Sequence, residues 1–220
     1  MNTAMDQCEF CDEFRGGTRN SFAARYIDRL KDRTILETGH LKLLPSLGHF
    51  VKGYLLIVPK RHYCALGDAP LETLRQVEEI KIELSRRLGP IYGRYTFFEH
   101  GTRGPGSGGC GIDHAHLHAL PLSIRTVLSR LKGEFSYRSI ASLCALRRAT
   151  GSASYLYCED SARQSWLFFP SFLPSQYMRR LTAEASGILE WDWRESGRED
   201  AFLATRVESL KALSGVCRGR

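Results

Sequence analysis

The segment His114-Ala115-His116-Leu117-His118-Ala119-Leu120-Pro121 alternates imidazoles with small apolar residues. On a β-strand, successive side chains point to opposite faces. His114, His116 and His118 therefore share one face, and Ala115, Leu117 and Ala119 share the other. The second face suits packing under a helix. The first does not suit a core, because three imidazoles in a row pack poorly and each needs a hydrogen-bond partner if buried. Chemistry is the better use for them. Neutral imidazole is a good transition-metal ligand. It is also a nucleophile toward phosphorus at neutral pH, since its ordinary pKa is about 6.5.

Immediately upstream, residues 102–111 carry Gly104, Gly106, Gly108, Gly109 and Gly111. Such a loop lets backbone N–H groups approach phosphate oxygens without side-chain obstruction. A glycine loop alone is a weak signal. Followed at once by the histidines, it favours a phosphate site over a metal site for the triplet.

Further out, short apolar runs have strand length: Thr34 to Thr38, Leu41 to Leu44, Tyr54 to Val58 and Tyr95 to Glu99. Between Pro70 and Gly89 the period changes, with Leu71, Leu74, Val77, Ile80, Leu84 and Leu88 at helical spacing. A short helix is expected around 20–31, capped by Asn20 or Ser21. This order predicts a mostly antiparallel α+β sheet. Residues 123–220 read as a mainly helical extension, clearest at Leu181 to Ile188 and Phe202 to Leu213. Ser175 is the expected N-cap of a helix carrying Arg179 and Arg180, and Trp191-Asp192-Trp193 reads as a packing anchor. The expected division is 1–122 for a catalytic domain and 123–220 for an extension packed on the same domain.

The 220 residues, 43% hydrophobic and 25% charged, exclude a disordered chain, a collagen-like repeat and a coiled coil. No apolar run approaches the ~20 residues of a membrane span, and the N-terminus lacks the pattern of a signal peptide, so a cytoplasmic protein is expected. The net charge of +7 sits mostly in the second half. There Arg125, Arg130, Lys132, Arg138, Arg147 and Arg148 face Glu134 alone across 123–158. That excess suits an anionic small molecule, and no nucleic acid or membrane partner is expected. Seven scattered cysteines do not form a disulfide framework and fit a reducing compartment. Only Cys8 and Cys11 have metal-ligand spacing; as a C-x-x-C pair they could be redox-active, metal-binding or coincidental.

The alternating histidines at 114–120 resemble the motif of the histidine triad family. Cys8-Glu9-Phe10-Cys11 looks like the cysteine pair that opens many zinc-containing members. Lys52-Gly53-Tyr54-Leu55-Leu56-Ile57-Val58-Pro59-Lys60-Arg61-His62 looks like the family's strand ending in proline, lysine and histidine. The resemblance covers about residues 8–122. It implies a five-stranded antiparallel sheet with a crossing helix, and hydrolysis or transfer of nucleotides at the α-phosphate. It makes His116 the nucleophile of a covalent phosphohistidine-type intermediate, with His118 contacting the phosphate or assisting the leaving group. Members that transfer the nucleotidyl group often have glutamine at the third position, so His118 favours a hydrolase. The alternatives are a nucleotidyltransferase or phosphorylase, a non-catalytic nucleotide-binding module, and an enzyme whose three histidines all bind metal.

The resemblance also implies a structural zinc held by Cys8, Cys11, His62 and His114, with Asp113 as a candidate partner for a ligand histidine. Ser46 stands where many members have a ribose-binding aspartate, and Cys110 and Gly111 where many have glutamine and serine. Backbone donors and basic residues from elsewhere must then hold the phosphate. The candidate substrate-binding residues are Ser46, Gly109, Cys110, Gly111, Gln176, Arg179 and Arg180. The expected partner is a phosphate-bearing small molecule, a nucleotide by resemblance, and a homodimer is the candidate assembly.

Overall fold

In the computed structural model, which describes residues 8–102, 111–195 and 198–215, the histidine segment enters the middle of one antiparallel sheet. Its strands are β1 (Leu36–Glu37), β2 (Leu41–Pro45), β3 (Leu55–Pro59), β4 (Thr96–Gly101), β5 (Leu117–Leu120), β6 (Tyr137–Ser139), β7 (Tyr155–Glu159) and β8 (Ser165–Phe168). The order is β1-β2-β3-β5-β4-β7-β8-β6. The sequence predicts five strands, and eight are described. The first five are those expected. The other three come from the C-terminal half and continue the sheet from β4, with Phe98 opposite Cys158. β7 escaped the periodicity test because it is buried on both faces, so its residues do not alternate in polarity, and β6 is only three residues long.

The helices are α1 (Glu9–Phe14), α2 (Ser21–Tyr26), α3 (Leu71–Arg87), α4 (Gly89–Tyr92), α5 (Arg125–Glu134), α6 (Leu146–Thr150), α7 (Tyr177–Glu184) and α8 (Glu199–Leu213). Asn20 caps α2 through its side chain, which accepts from the Ala23 N–H at 2.8 Å. The expected Ser175 cap is not used. Helix α7 instead starts after Gln176, whose φ of 60° is left-handed.

Strand alternation sorts the interior into two cores. On one side Leu43, Ile57, Phe97, Leu117, Ala119 and Tyr157 pack under Leu74, Val77, Ile80 and Leu84 of α3. Fully burying each such aliphatic side chain contributes roughly 1.5–3 kcal/mol before entropy. On the other side Leu44, Leu56, Phe98, Leu156 and Phe168 meet Phe10 of α1, Leu128 of α5 and Met178 of α7. Ala115, Leu117 and Ala119 lie in the first core, as the alternation predicts. The histidines therefore face the second. Among the described residues, no helix is long and apolar enough to cross a membrane.

Candidate active site and metal centre

Cys8 precedes α1 and caps it, its Sγ 3.4 Å from the Cys11 N–H. The C-x-x-C spacing thus puts both sulfurs at one helix end. His62 follows β3 and His114 precedes β5, on strands that are paired. The four donor atoms of Cys8, Cys11, His62 and His114 lie within 4.8 Å of one another. Nδ1 of His114 is 3.3 Å from Cys8 Sγ and 3.6 Å from Cys11 Sγ, and Nδ1 of His62 is 3.4 Å from Cys11 Sγ. Tetrahedral zinc with ordinary Zn–S and Zn–N bonds requires sulfur–nitrogen edges of about 3.5 Å. The donor set, two soft sulfurs and two imidazoles, fits such an ion. His114 donates its remaining Nε2–H to the Pro59 carbonyl at 2.8 Å, the usual outer partner of a ligand imidazole. That partner is a backbone oxygen; the Asp113 carboxylate acts electrostatically on the other imidazole of the cluster, His62. Burial pushes the Cys8 thiol up to about 12, so a thiolate there needs a cation's charge beside it.

Past this cluster the same strand face lines a cavity of about 50 Å³. His116 and His118 form one wall; Ser46, Gly111, Gln176 and Arg179 complete much of the rest. That volume holds a few waters or one phosphoryl group. Nδ1 of His116 lies 2.7 Å from the His114 carbonyl oxygen, which can only accept. The proton therefore sits on Nδ1, and the Nε2 lone pair is the nucleophilic edge. Burial holds the pKa of His116 below the ordinary value and that of His118 well below it, so both rings are neutral near pH 7.

Arg179 is a buried cation in the cavity wall, which Glu9, Glu13 and Arg33 also line. It is 3% exposed, stacked over Phe50 and Tyr54. Its hydrogen bonds go to the carbonyls of Trp191 and Gly48 and to Ser46 Oγ. No carboxylate among the described residues lies within ion-pair distance of it. Gln176 is held from both ends, its Nε2 donating to Asp192 and its Oε1 accepting from the Trp193 N–H. The Trp191–Trp193 segment is thus pinned beside the cavity, which Trp193 lines. It also closes on Gly48, where φ is +61° and a Cβ would lie 2.3 Å from the Trp193 Cα. Trp193 thus packs on Gly48, as expected of an anchor, and also lines the cavity, which was not expected.

Of the predicted substrate residues, the structure brings Ser46, Gly111, Gln176 and Arg179 to the cavity with His116 and His118. Gly109 and Cys110 lie outside the described residues. Arg180 points away from the cavity and ion-pairs with Glu184 at 3.8 Å. Four ionisable residues lining the cavity were missed: Glu9, Glu13, Arg33 and His100. Arg33 reaches it from the loop before β1 and is neutralised by two 2.7 Å bonds to Glu13. His100, on β4, accepts from the Met178 N–H at 3.4 Å and is held neutral by burial, with a pKa of about 3. Its two-residue offset from Phe98 carried the signal, since that period puts it on the histidine face.

No family model matches the sequence, and no curated protein does. Solved structures resemble it in part. Several are histidine triad proteins. A zinc-bound member from Mycobacterium smegmatis is 21% identical over 53% of this chain and 76% of its own, with a TM-score of 0.40. A yeast Ap4A phosphorylase, in complex with AMP, is 14% identical over 80% of each chain, with a TM-score of 0.41. A uridylyltransferase is 11% identical over 80% of this chain and 88% of its own, with a TM-score of 0.42.

Proposed function

We propose that this chain is a histidine triad-type hydrolase acting at the α-phosphate of a nucleotide or related phosphate conjugate. The observation that carries the reading is the 2.7 Å contact of His116 Nδ1 with the His114 carbonyl, which turns the Nε2 lone pair to a cavity that also holds the buried Arg179 guanidinium. A neutral nucleophile beside a buried cation whose hydrogen bonds go to neutral groups suits attack on an anionic phosphoryl group.

In the first step His116 Nε2 bonds to the α-phosphorus and the bond from phosphorus to the leaving oxygen breaks. The electron pair departs with that oxygen. In the second, a water oxygen bonds to phosphorus, the N–P bond breaks, and its pair returns to Nε2. One water proton stays on the product and the other passes to solvent. His118, on the same strand face, contacts the phosphate or the departing oxygen, and Arg179 balances the phosphoryl charge. Cys8, Cys11, His62 and His114 are assigned to a structural zinc, which ties α1 to the strands carrying the histidines and takes no part in these steps.

The test is incubation with α-³²P-labelled nucleotide conjugates followed by rapid quench. The expected product is a labelled protein whose bond is acid-labile and alkali-stable, as phosphorus–nitrogen bonds are, with the label on His116. Absence of any adduct, with turnover intact, would sink the reading; release of label onto an added acceptor and not onto water would redirect it to transfer. For the zinc, metal analysis should find about one ion per chain, lost in Cys11→Ala together with stability.

A further inference from the structure

Register, not sequence proximity, brings Tyr54 to His118. Leu56 is the direct cross-strand partner of His118. Tyr54, two residues earlier, shares the Leu56 face and sits on the diagonal, within reach of a long side chain. Its hydroxyl lies 2.7 Å from His118 Nδ1. Both side chains are buried. On the opposite flank Phe98, the partner of His118 across β4, stacks on the imidazole with ring centroids 4.3 Å apart. The ring is thus held in plane by Phe98 and fixed in rotation by Tyr54.

The chemistry of that contact sets a proton. A phenol is a stronger donor than acceptor, and a neutral imidazole nitrogen accepts well. Arg179, its guanidinium carbon 5.0 Å from the Tyr54 ring centroid, draws electron density from the phenol and strengthens it as a donor. Burial keeps His118 neutral, so it carries one proton, on one of two nitrogens.

We propose that Tyr54 is a positioning residue that donates to His118 Nδ1 and so holds the His118 proton on Nε2, facing the cavity. The two neighbouring histidines then have opposite tautomers. His116 carries its proton on Nδ1 and presents a lone pair; His118 carries its proton on Nε2 and presents a donor. Their ring centroids are 4.7 Å apart, so one phosphoryl group can meet both. The donor holds the charge that develops on the departing oxygen, with no proton transferred. The catalytic part of this proposal rests on His116 being the nucleophile; the tautomer part does not.

Two measurements test it. The first is nitrogen-15 NMR of histidine-labelled protein, which reads the protonated nitrogen of each ring without any substrate. His118 is expected as the Nε2–H form in the wild type, and as a mixture of forms in Tyr54→Phe. An Nδ1–H form in the wild type, or an unchanged Nε2–H form in Tyr54→Phe, overturns the proposal whatever His116 does. The second is kinetic, with the 4-nitrophenyl ester of adenosine 5′-monophosphate as the probe. Tyr54→Phe keeps the ring and its stacking, and should lower kcat about tenfold with KM within about twofold. In a His118→Gln background, whose amide nitrogen donates without needing a tautomer, Tyr54→Phe should have no further effect. An equal loss of kcat in both backgrounds means that Tyr54 acts other than through His118, which overturns the kinetic role. Wild-type turnover by a folded His116→Asn protein refutes the nucleophile and leaves the NMR result to stand by itself.

Discussion

Lys81 and Arg179 are both buried cations, one on each side of the same sheet, and they are partnered in opposite ways. Lys81, on α3, is fully buried between the rings of Phe97 and Tyr157. Its ammonium meets Glu159 at 2.5 Å, Glu78 at 2.9 Å and the Tyr157 hydroxyl at 3.3 Å. It fastens α3 to β7, an expected element to one the sequence hid. Arg179, on α7, is also sandwiched on aromatic rings, but its hydrogen-bond partners are neutral carbonyls and a hydroxyl. The Asp192 carboxylate acts on Arg179 electrostatically but not at ion-pair distance, and a buried charge without a contacting counter-charge is costly. The difference separates a cation held by carboxylates from a cation held by neutral groups.

Breaking the site side outright should have the largest effect. His116→Asn is expected to lower turnover by at least ~1,000-fold, while the melting temperature and zinc content stay at wild-type values. The check is an activity assay run beside a thermal melt and a metal measurement on the same preparation. A matching loss of stability would place His116 with the structural residues instead.

Lys81→Met should act only on the other side of the sheet. It strips a counter-charge from Glu159, whose side chain is 3% exposed, although Arg163 lies 3.0 Å from the second carboxylate oxygen. The expected loss is about 3 kcal/mol of unfolding free energy, read by denaturant titration, with kcat/KM unchanged. Arg179→Met sharpens the contrast. Losing a charge-assisted hydrogen bond to the phosphoryl group should raise KM by roughly 10–100-fold. Its stability loss should be smaller than that of Lys81→Met, because relief of a buried charge without a contacting counter-charge offsets the two abandoned carbonyls. Equal destabilisation by the two substitutions would erase the distinction.

The smallest effect belongs to Arg180. Among the described residues its ion pair is with Glu184, at 3.8 Å on a half-exposed surface. Arg180→Gln should shift stability by less than ~0.5 kcal/mol and leave KM within about twofold. A KM change matching that of Arg179→Met would mean that the substrate reaches the outer face of α7.

How much of this was legible in the chain differs from residue to residue. The histidine face, its apolar reverse and the crossing helix could be read directly, because alternation and helical periodicity are local properties of a few consecutive residues. The metal group was legible through resemblance, since Cys8, Cys11, His62 and His114 are each marked by a short motif. Strand β7 was not, because a strand buried on both faces carries no alternation, and runs of four or five apolar residues fit a helix as well.

The sequence by itself determined that three imidazoles would share a strand face and that a glycine-rich segment would precede them. Only the tertiary structure decided which groups meet them. Adjacent residues of a helix point about 100° apart, so Arg179 and Arg180 are equivalent in sequence and opposed in space. The choice between them was made by the packing of α7, which starts at a left-handed Gln176 and presents Met178 to the core and Arg179 to the cavity. Tyr54, 64 residues from His118, became its partner because β3 and β5 pair in one register. Cross-strand contacts depend on pairings between distant segments, and no local pattern encodes them.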